Sequence, residues 1–165
     1  MDTVDTVDNE KYTVLIVDDE EMVTTSISTL FMLETDYNTL TFNSPSEALE
    51  AIKVDDVDLV ISDYLMPGEM NGVDFLLELK KLKPNVIRIL LTAYADKGNA
   101  IRAINEVGIF QYVEKPWDNA ALLLLVKNGL LIKKLWGQLE TKTKELNIAE
   151  GNLQRVQTEI IKAFI

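Results

Sequence analysis

The sequence contains no histidine and no cysteine. Without imidazole there are no histidine metal ligands and no Ser-His or Cys-His catalysis. Without thiols there is no disulfide framework, a usage that fits a reducing, cytoplasmic setting. No uninterrupted apolar run reaches the roughly eighteen residues that would indicate a membrane span. The N-terminal MDTVDTVDNEK lacks the basic and apolar regions of a signal peptide. Basic residues are few, 16 Lys and Arg against 27 Asp and Glu, for a net charge of −11. That balance argues against nucleic-acid binding by this segment, because phosphates are bound by clustered cations. Carboxylates, hydroxyls and lysines remain to do chemistry.

What is present fits one packed domain and an appendage, since 47% apolar content suffices for one core. Residues 1–10 read as a disordered, charged leader. Beyond it, short apolar runs alternate with helical patterns. Strands are expected at 12–17, 39–42, 59–62, 86–91 and 109–113. Helices are expected at 20–33, 45–54, 73–82 and 97–106, and from 118 onward. Ser44-Pro45-Ser46-Glu47 reads as a helix start, with Ser44 as N-cap, Pro45 in the first turn and Glu47 closing a capping box. The strands are continuous apolar runs, as when helices cover both faces of a parallel sheet. The expected architecture is an α/β, doubly wound (βα)5 sandwich.

Ligands of such sheets bind at the carboxyl ends of the strands. The first strand ends in Asp18-Asp19, the third in Asp63, the fourth in Thr92, and the fifth in Glu114-Lys115-Pro116; the second offers only Asn43 and Ser44. Three neighbouring carboxylates repel one another and raise at least one pKa. A hard divalent cation relieves that repulsion, and oxygen ligands suit Mg²⁺. Lys115 and Thr92 complete a site for a tetrahedral anion, with Asp63 as nucleophile toward a phosphoryl group. Taken singly, each feature has a plainer structural reading: a solvated loop for Asp-Asp, a helix cap for Thr92, a turn for Lys-Pro, a core aromatic for Tyr112. Together, in order and each at its own strand end, they point to one site.

These pieces, LIVDDEE, LVISDYLMPGEMNGVDFL, ILLTAYAD and YVEKPW, resemble the response-regulator receiver family over residues 12–134. The resemblance implies a flavodoxin-like fold with strand order 2-1-3-4-5. It implies Asp63 as phosphoacceptor and Asp18 and Asp19 as Mg²⁺ ligands beside Asp63, with the Leu65 carbonyl as a further ligand. It also implies Thr92 and Tyr112 as the switch pair, Lys115 as the phosphoryl partner, and a cis Lys115–Pro116 bond. The phosphodonor would be a histidine kinase or a histidine phosphotransfer protein. The MPGEMNG loop is one residue longer than the common MPGMDG form, which bears on where the third helix starts. Leu65 and Tyr94 stand where the family varies its dephosphorylation; neither suits positioning a water, so a long-lived phosphorylated form is expected.

The last third carries a heptad pattern. Ile132, Leu139, Leu146, Leu153 and Ile160 fall at position a; Leu135, Lys142, Ala149, Val156 and Ala163 fall at d. Gly137 and Gly151 fall at f, outermost. Residues 135–165 are therefore expected to form a coiled-coil helix beyond a receiver at 11–134, giving a parallel homodimer and leading to an output domain outside this segment. The YVEKPW run into a long helix resembles regulators with HD-GYP, kinase-like or diguanylate cyclase outputs. The segment itself is read as a switch and not an enzyme. Two other readings are a haloacid-dehalogenase-like phosphatase, which would want Asp-x-Asp after its first strand, and a non-phosphorylated dimerisation scaffold.

Overall fold

The structure, a computed structural model, describes residues 11–68 and 70–163, the side chains at 94, 97 and 102–104 excepted. The expected leader, residues 1–10, lies outside the described residues. Among the described residues five strands are present: β1 (Thr13–Val17), β2 (Asn38–Phe42), β3 (Leu59–Asp63), β4 (Ile87–Thr92) and β5 (Gln111–Glu114). They alternate with α1 (Glu21–Glu34), α2 (Pro45–Val54), α3 (Gly72–Leu82), α4 (Lys97–Val107) and α5 (Asn119–Ala163), and a 3₁₀ turn at Tyr94–Asp96 precedes α4. All pairings are parallel, in the order β2-β1-β3-β4-β5. The order reverses between β1 and β3, which opens a crevice at their carboxyl ends.

Successive strand residues face opposite sides of the sheet. Leu15, Val17, Val60 and Leu90 pack with Ala48 and Ile52 of α2, Phe75, Leu76 and Leu79 of α3, and Ala100 and Val107 of α4. Val14, Ile16, Leu59, Ile61, Ile87, Ile89 and Leu91 pack with Ile27 and Phe31 of α1 and Leu122, Val126 and Leu130 of α5. Both faces of the central strands are thus covered, which is why β1, β3 and β4 read as apolar runs. Edge strand β2 departs from that reading, Thr39 and Thr41 alternating with Leu40 and Phe42, because it is only partly covered. Each Val, Leu, Ile or Phe side chain so taken from water contributes about 1.5–3 kcal/mol.

Several boundaries differ from the sequence reading, each for a local reason. The fifth strand is shifted to Gln111–Glu114 because its ladder with β4 begins at the Ile89–Gln111 pair. Ser44 does sit at the N-cap of α2 with Pro45 following, but its hydroxyl makes no cap bond and lies 2.9 Å from the Ser46 hydroxyl instead. The capping box is therefore absent. The third helix starts at Gly72 and is capped by Asn71, whose side-chain oxygen accepts from the Asp74 amide at 2.9 Å. Gly108, at φ 72°, follows the end of α4.

By its contacts the chain forms two compact units, one up to Leu130 and one from Leu131. In the second unit the helix presents Leu135, Leu139, Leu146, Leu153, Val156 and Ile160 to solvent. No helix among the described residues is long and apolar enough to cross a membrane.

Gly72 leaves no room for a side chain: a Cβ there would run into the Asp63 carbonyl oxygen. Its amide also donates to the Tyr64 carbonyl at 3.0 Å, so the start of α3 lies hard against the end of β3. Gly72→Ala is expected to lower stability to urea by about 1–3 kcal/mol. Gly98→Ala, where a Cβ meets nothing within 4 Å, should be neutral or stabilising by up to about 1 kcal/mol. Equal midpoints for the two variants would refute the steric assignment.

Candidate functional site

Strand pairing delivers the polar residues to one end of the sheet. Val17 pairs with Ser62 and Thr92 with Glu114, so Asp18, Asp63, Thr92 and Lys115 follow or end adjacent strands. The Asp18 amide donates to the Phe42 carbonyl at 3.1 Å, and Asn43 Nδ2 donates to the Asp18 carbonyl at 2.9 Å. Together they anchor the backbone at the end of β1 to the end of β2. Tyr64 N donates to Leu91 O at 2.8 Å and Lys115 N to Thr92 O at 2.9 Å, which tie the β3 and β5 ends to β4. The Lys115–Pro116 bond is cis.

Lys115 lies between the acids. Its Nζ is 2.8 Å from Asp18 Oδ2, 3.1 Å from Asp63 Oδ1 and 4.0 Å from Glu20 Oε1. Asp18 is fully buried, and Asp63 is only 6% exposed. Its other oxygen, Asp18 Oδ1, accepts from the Glu20 amide at 2.9 Å. Burial pushes the Asp63 carboxyl up to about 6; the charge of Asp18 adds to the rise, and Lys115 opposes it. Asp18 is also raised, by burial first, with Lys115 and the Glu20 amide working against the shift. Burial disfavours the Lys115 charge, but the two carboxylates override it and hold the amine above its ordinary value.

Of the residues read from the sequence, the structure thus joins Asp18, Asp63 and Lys115 by direct ion pairs. Asp19 is exposed and shares a carboxylate cluster with Asp18 and Glu20, whose oxygens lie within 4.8 Å of one another. The sequence reading gives Glu20 only as the start of a helix; the unbroken Asp18-Asp19-Glu20-Glu21 run is the available sign. Thr92 is buried at the end of β4, and its hydroxyl donates to the Ala93 carbonyl at 3.1 Å. Tyr112 is half-buried on β5 against the face of the sheet covered by α2, α3 and α4. Leu65 lies in the loop after β3 with its side chain exposed, and the Tyr94 side chain lies outside the described residues.

The donor set suits a hard divalent cation. Asp18, Asp19, Glu20 and Asp63 offer only oxygens, Asp18 and Asp63 are buried, and Lys115 pairs with both of these. Such a site can hold a metal, present a carboxylate oxygen as nucleophile and neutralise an anion.

Comparison with known proteins places these features in context. Residues 14–127 match the family described as the response regulator receiver domain. The chain is 31% identical over 147 residues to the hydrogenase transcriptional regulatory protein HoxA of Cupriavidus necator, covering 89% of this chain and 30% of that one. It is 36% identical over 133 residues to the regulatory protein AtoC of Escherichia coli, covering 81% of this chain and 27% of that protein. The signal receiver domain of an HD domain-containing protein from Pseudomonas fluorescens superposes with a TM-score of 0.71 at 31% identity, over 76% of this chain and 98% of that one. The chain spans about three tenths of the length of the curated relatives it matches first.

The raised Asp63 pKa has a stability consequence. An acid whose folded pKa, about 6, exceeds its ordinary 3.8 binds its proton more tightly when folded. Stability of the metal-free protein therefore falls as pH rises from about 4 to about 6, and the loss is complete above that window. Asp63→Asn should remove the loss, raising metal-free stability at pH 7.5 by on the order of 1–3 kcal/mol. At pH 4 the gain should vanish. A variant no more stable than wild type at pH 7.5 in chelator would contradict the electrostatic reading.

Proposed function

This chain belongs to the response-regulator receiver domain family, and from that premise we propose that it is the phosphoryl-accepting switch of a two-component phosphorelay, with Asp63 as acceptor. The observation that carries the reading is the buried Asp63 carboxylate at the end of β3, 3.1 Å from the Lys115 ammonium and beside the buried Asp18. Asp18, Asp19, Asp63 and the Leu65 carbonyl would hold Mg²⁺, with Glu20 beside them. When bound, the cation supplies positive charge against the carboxylates and the phosphoryl oxygens.

The chain's own residues do the rest. An Asp63 carboxylate oxygen attacks the phosphorus of a phosphohistidine on a partner kinase or phosphotransfer protein. The P–N bond breaks, and its electron pair leaves with the imidazole. Lys115 then pairs with a phosphoryl oxygen, holding charge that spreads over the equatorial oxygens. The Thr92 hydroxyl, now bonded to its neighbour's carbonyl, gains a better acceptor in the phosphoryl group. Its displacement opens space that Tyr112 fills, a two-state shift biased by contacts that differ between the states. With no acid or amide at Leu65 to position water, the phosphorylated state is long-lived. Residues beyond Ile132 form a homodimer along their apolar stripe and relay the state to an output domain.

Incubation with acetyl phosphate and Mg²⁺ should add one phosphoryl group to wild type and none to Asp63→Ala, read by intact mass. Equal modification of the two would sink the assignment. Thr92→Ala should accept phosphate yet lose the NMR shift at Tyr112 that beryllofluoride produces in wild type. For the helix, the full chain should sediment as a dimer at tens of micromolar, and a version stopped at Lys134 as a monomer. A monomeric full chain would remove the helix as an interface.

A further inference from the structure

We propose that the apolar stripe of residues 132–163 pairs with the same stripe of a second copy in antiparallel orientation, in the register that sets Leu135 against the partner's Ile160. The proposal rests on the dimer reading above, but it reverses the parallel orientation expected from an attached output domain. The stripe is open to a partner: Leu139 is 65% exposed, Leu146 64%, Leu153 59% and Ile160 51%. Leucine and isoleucine fill every a position, whereas the d positions include Ala149, Ala163 and the charged Lys142.

That asymmetry decides the orientation. A parallel pair stacks a on a and d on d. It would set Lys142 against its twin, and Ala149 and Ala163 each against theirs, giving one charged layer and two underfilled ones. An antiparallel pair stacks a on d, so large residues meet small ones. Leu146 then meets the partner's Ala149, and Ile132 the partner's Ala163. Lys142 lays its aliphatic stem on the partner's Leu153 while its ammonium keeps Glu145 of its own chain at 3.4 Å. No layer is left with two alanines or two lysines.

Flanking charges agree and fix the register. In a parallel pair, position g faces e five residues further on, which puts Glu145 against the partner's Glu150, twice by symmetry. In the antiparallel register proposed, g faces g and e faces e. Glu145 then meets the partner's Asn152, Glu159 the partner's Gln138, and Glu150 the partner's Thr143. Sliding one heptad one way sets Glu145 against its own twin. Sliding the other way sets Glu150 against its twin and Glu145 against the partner's Glu159. Like charges across the seam oppose the parallel pair and both one-heptad slips, and none of the pairs in this register. The two chains then enter the helix pair from opposite ends, about 47 Å apart at 1.5 Å per residue.

The absence of native cysteine makes the test clean. Leu135→Cys and Ile160→Cys, both at exposed sites, are prepared in the full chain and oxidised separately and as an equimolar mixture. The mixture should give at least about tenfold more disulfide-linked dimer than either variant alone, because the antiparallel pair joins only unlike positions. Efficient cross-linking of each variant by itself would establish the parallel pair and overturn the proposal. No cross-link in any sample, with monomeric sedimentation, would overturn the underlying dimer instead. Glu150→Lys provides a second measurement. It should leave the dimer dissociation constant within about threefold, since Glu150 faces a threonine, whereas a parallel pair would tighten about tenfold as repulsion became attraction. Such tightening would also overturn the antiparallel assignment.

Discussion

Two carboxylates, Asp18 and Asp63, stand at adjacent strand ends with almost no access to water, and one ammonium, Lys115, holds both. Burying two like charges is costly unless something positive sits between them. Lys115 meets part of that demand, and the elevated Asp63 pKa is the remainder. The metal-free site is therefore short of positive charge. The divalent cation proposed above would relieve that deficit. The chemistry of the domain follows from where the sheet concentrates its negative charge.

The sheet can concentrate it because its interior is indifferent to polarity elsewhere. β1, β3 and β4 are covered on both faces mainly by apolar residues, so their polar work falls largely at the strand ends. Backbone bonds between those ends, Asp18 N to Phe42 O, Tyr64 N to Leu91 O and Lys115 N to Thr92 O, hold the site residues in common register. Gly72 lets α3 begin directly against the Asp63 carbonyl. Precision at the carboxylates thus comes from main-chain contacts that involve none of the reacting atoms.

The long C-terminal helix is governed by different physics. Its first turns bury Leu122, Val126 and Leu130 against the sheet. From Leu131 onward the apolar side chains Leu135, Leu139, Leu146, Leu153, Val156 and Ile160 are exposed, the surface on which the proposed dimer rests.

Much of this was legible in the sequence. Continuous apolar runs meant a doubly covered parallel sheet, and Asp18, Asp63, Thr92 and Lys115 each stood at the end of one. These are local features, and local features specify elements and the ends where polar residues collect. The heptad at 132–163 was visible for the same reason. Side-chain hydrogen bonds were not. Ser44 holds the N-cap position yet turns its hydroxyl to Ser46, while Asn71 caps α3 unannounced. The placement of Glu20 beside the acids was also hidden, because it depends on how the chain turns into α1. Above all, the contact of Lys115 with Asp18 spans 97 positions. By itself the sequence determined the kinds of residue at each strand end. Only the order of the strands in the sheet decided that two of those acids would share one lysine, because proximity across a sheet is a property of neighbouring strands and not of neighbouring residues.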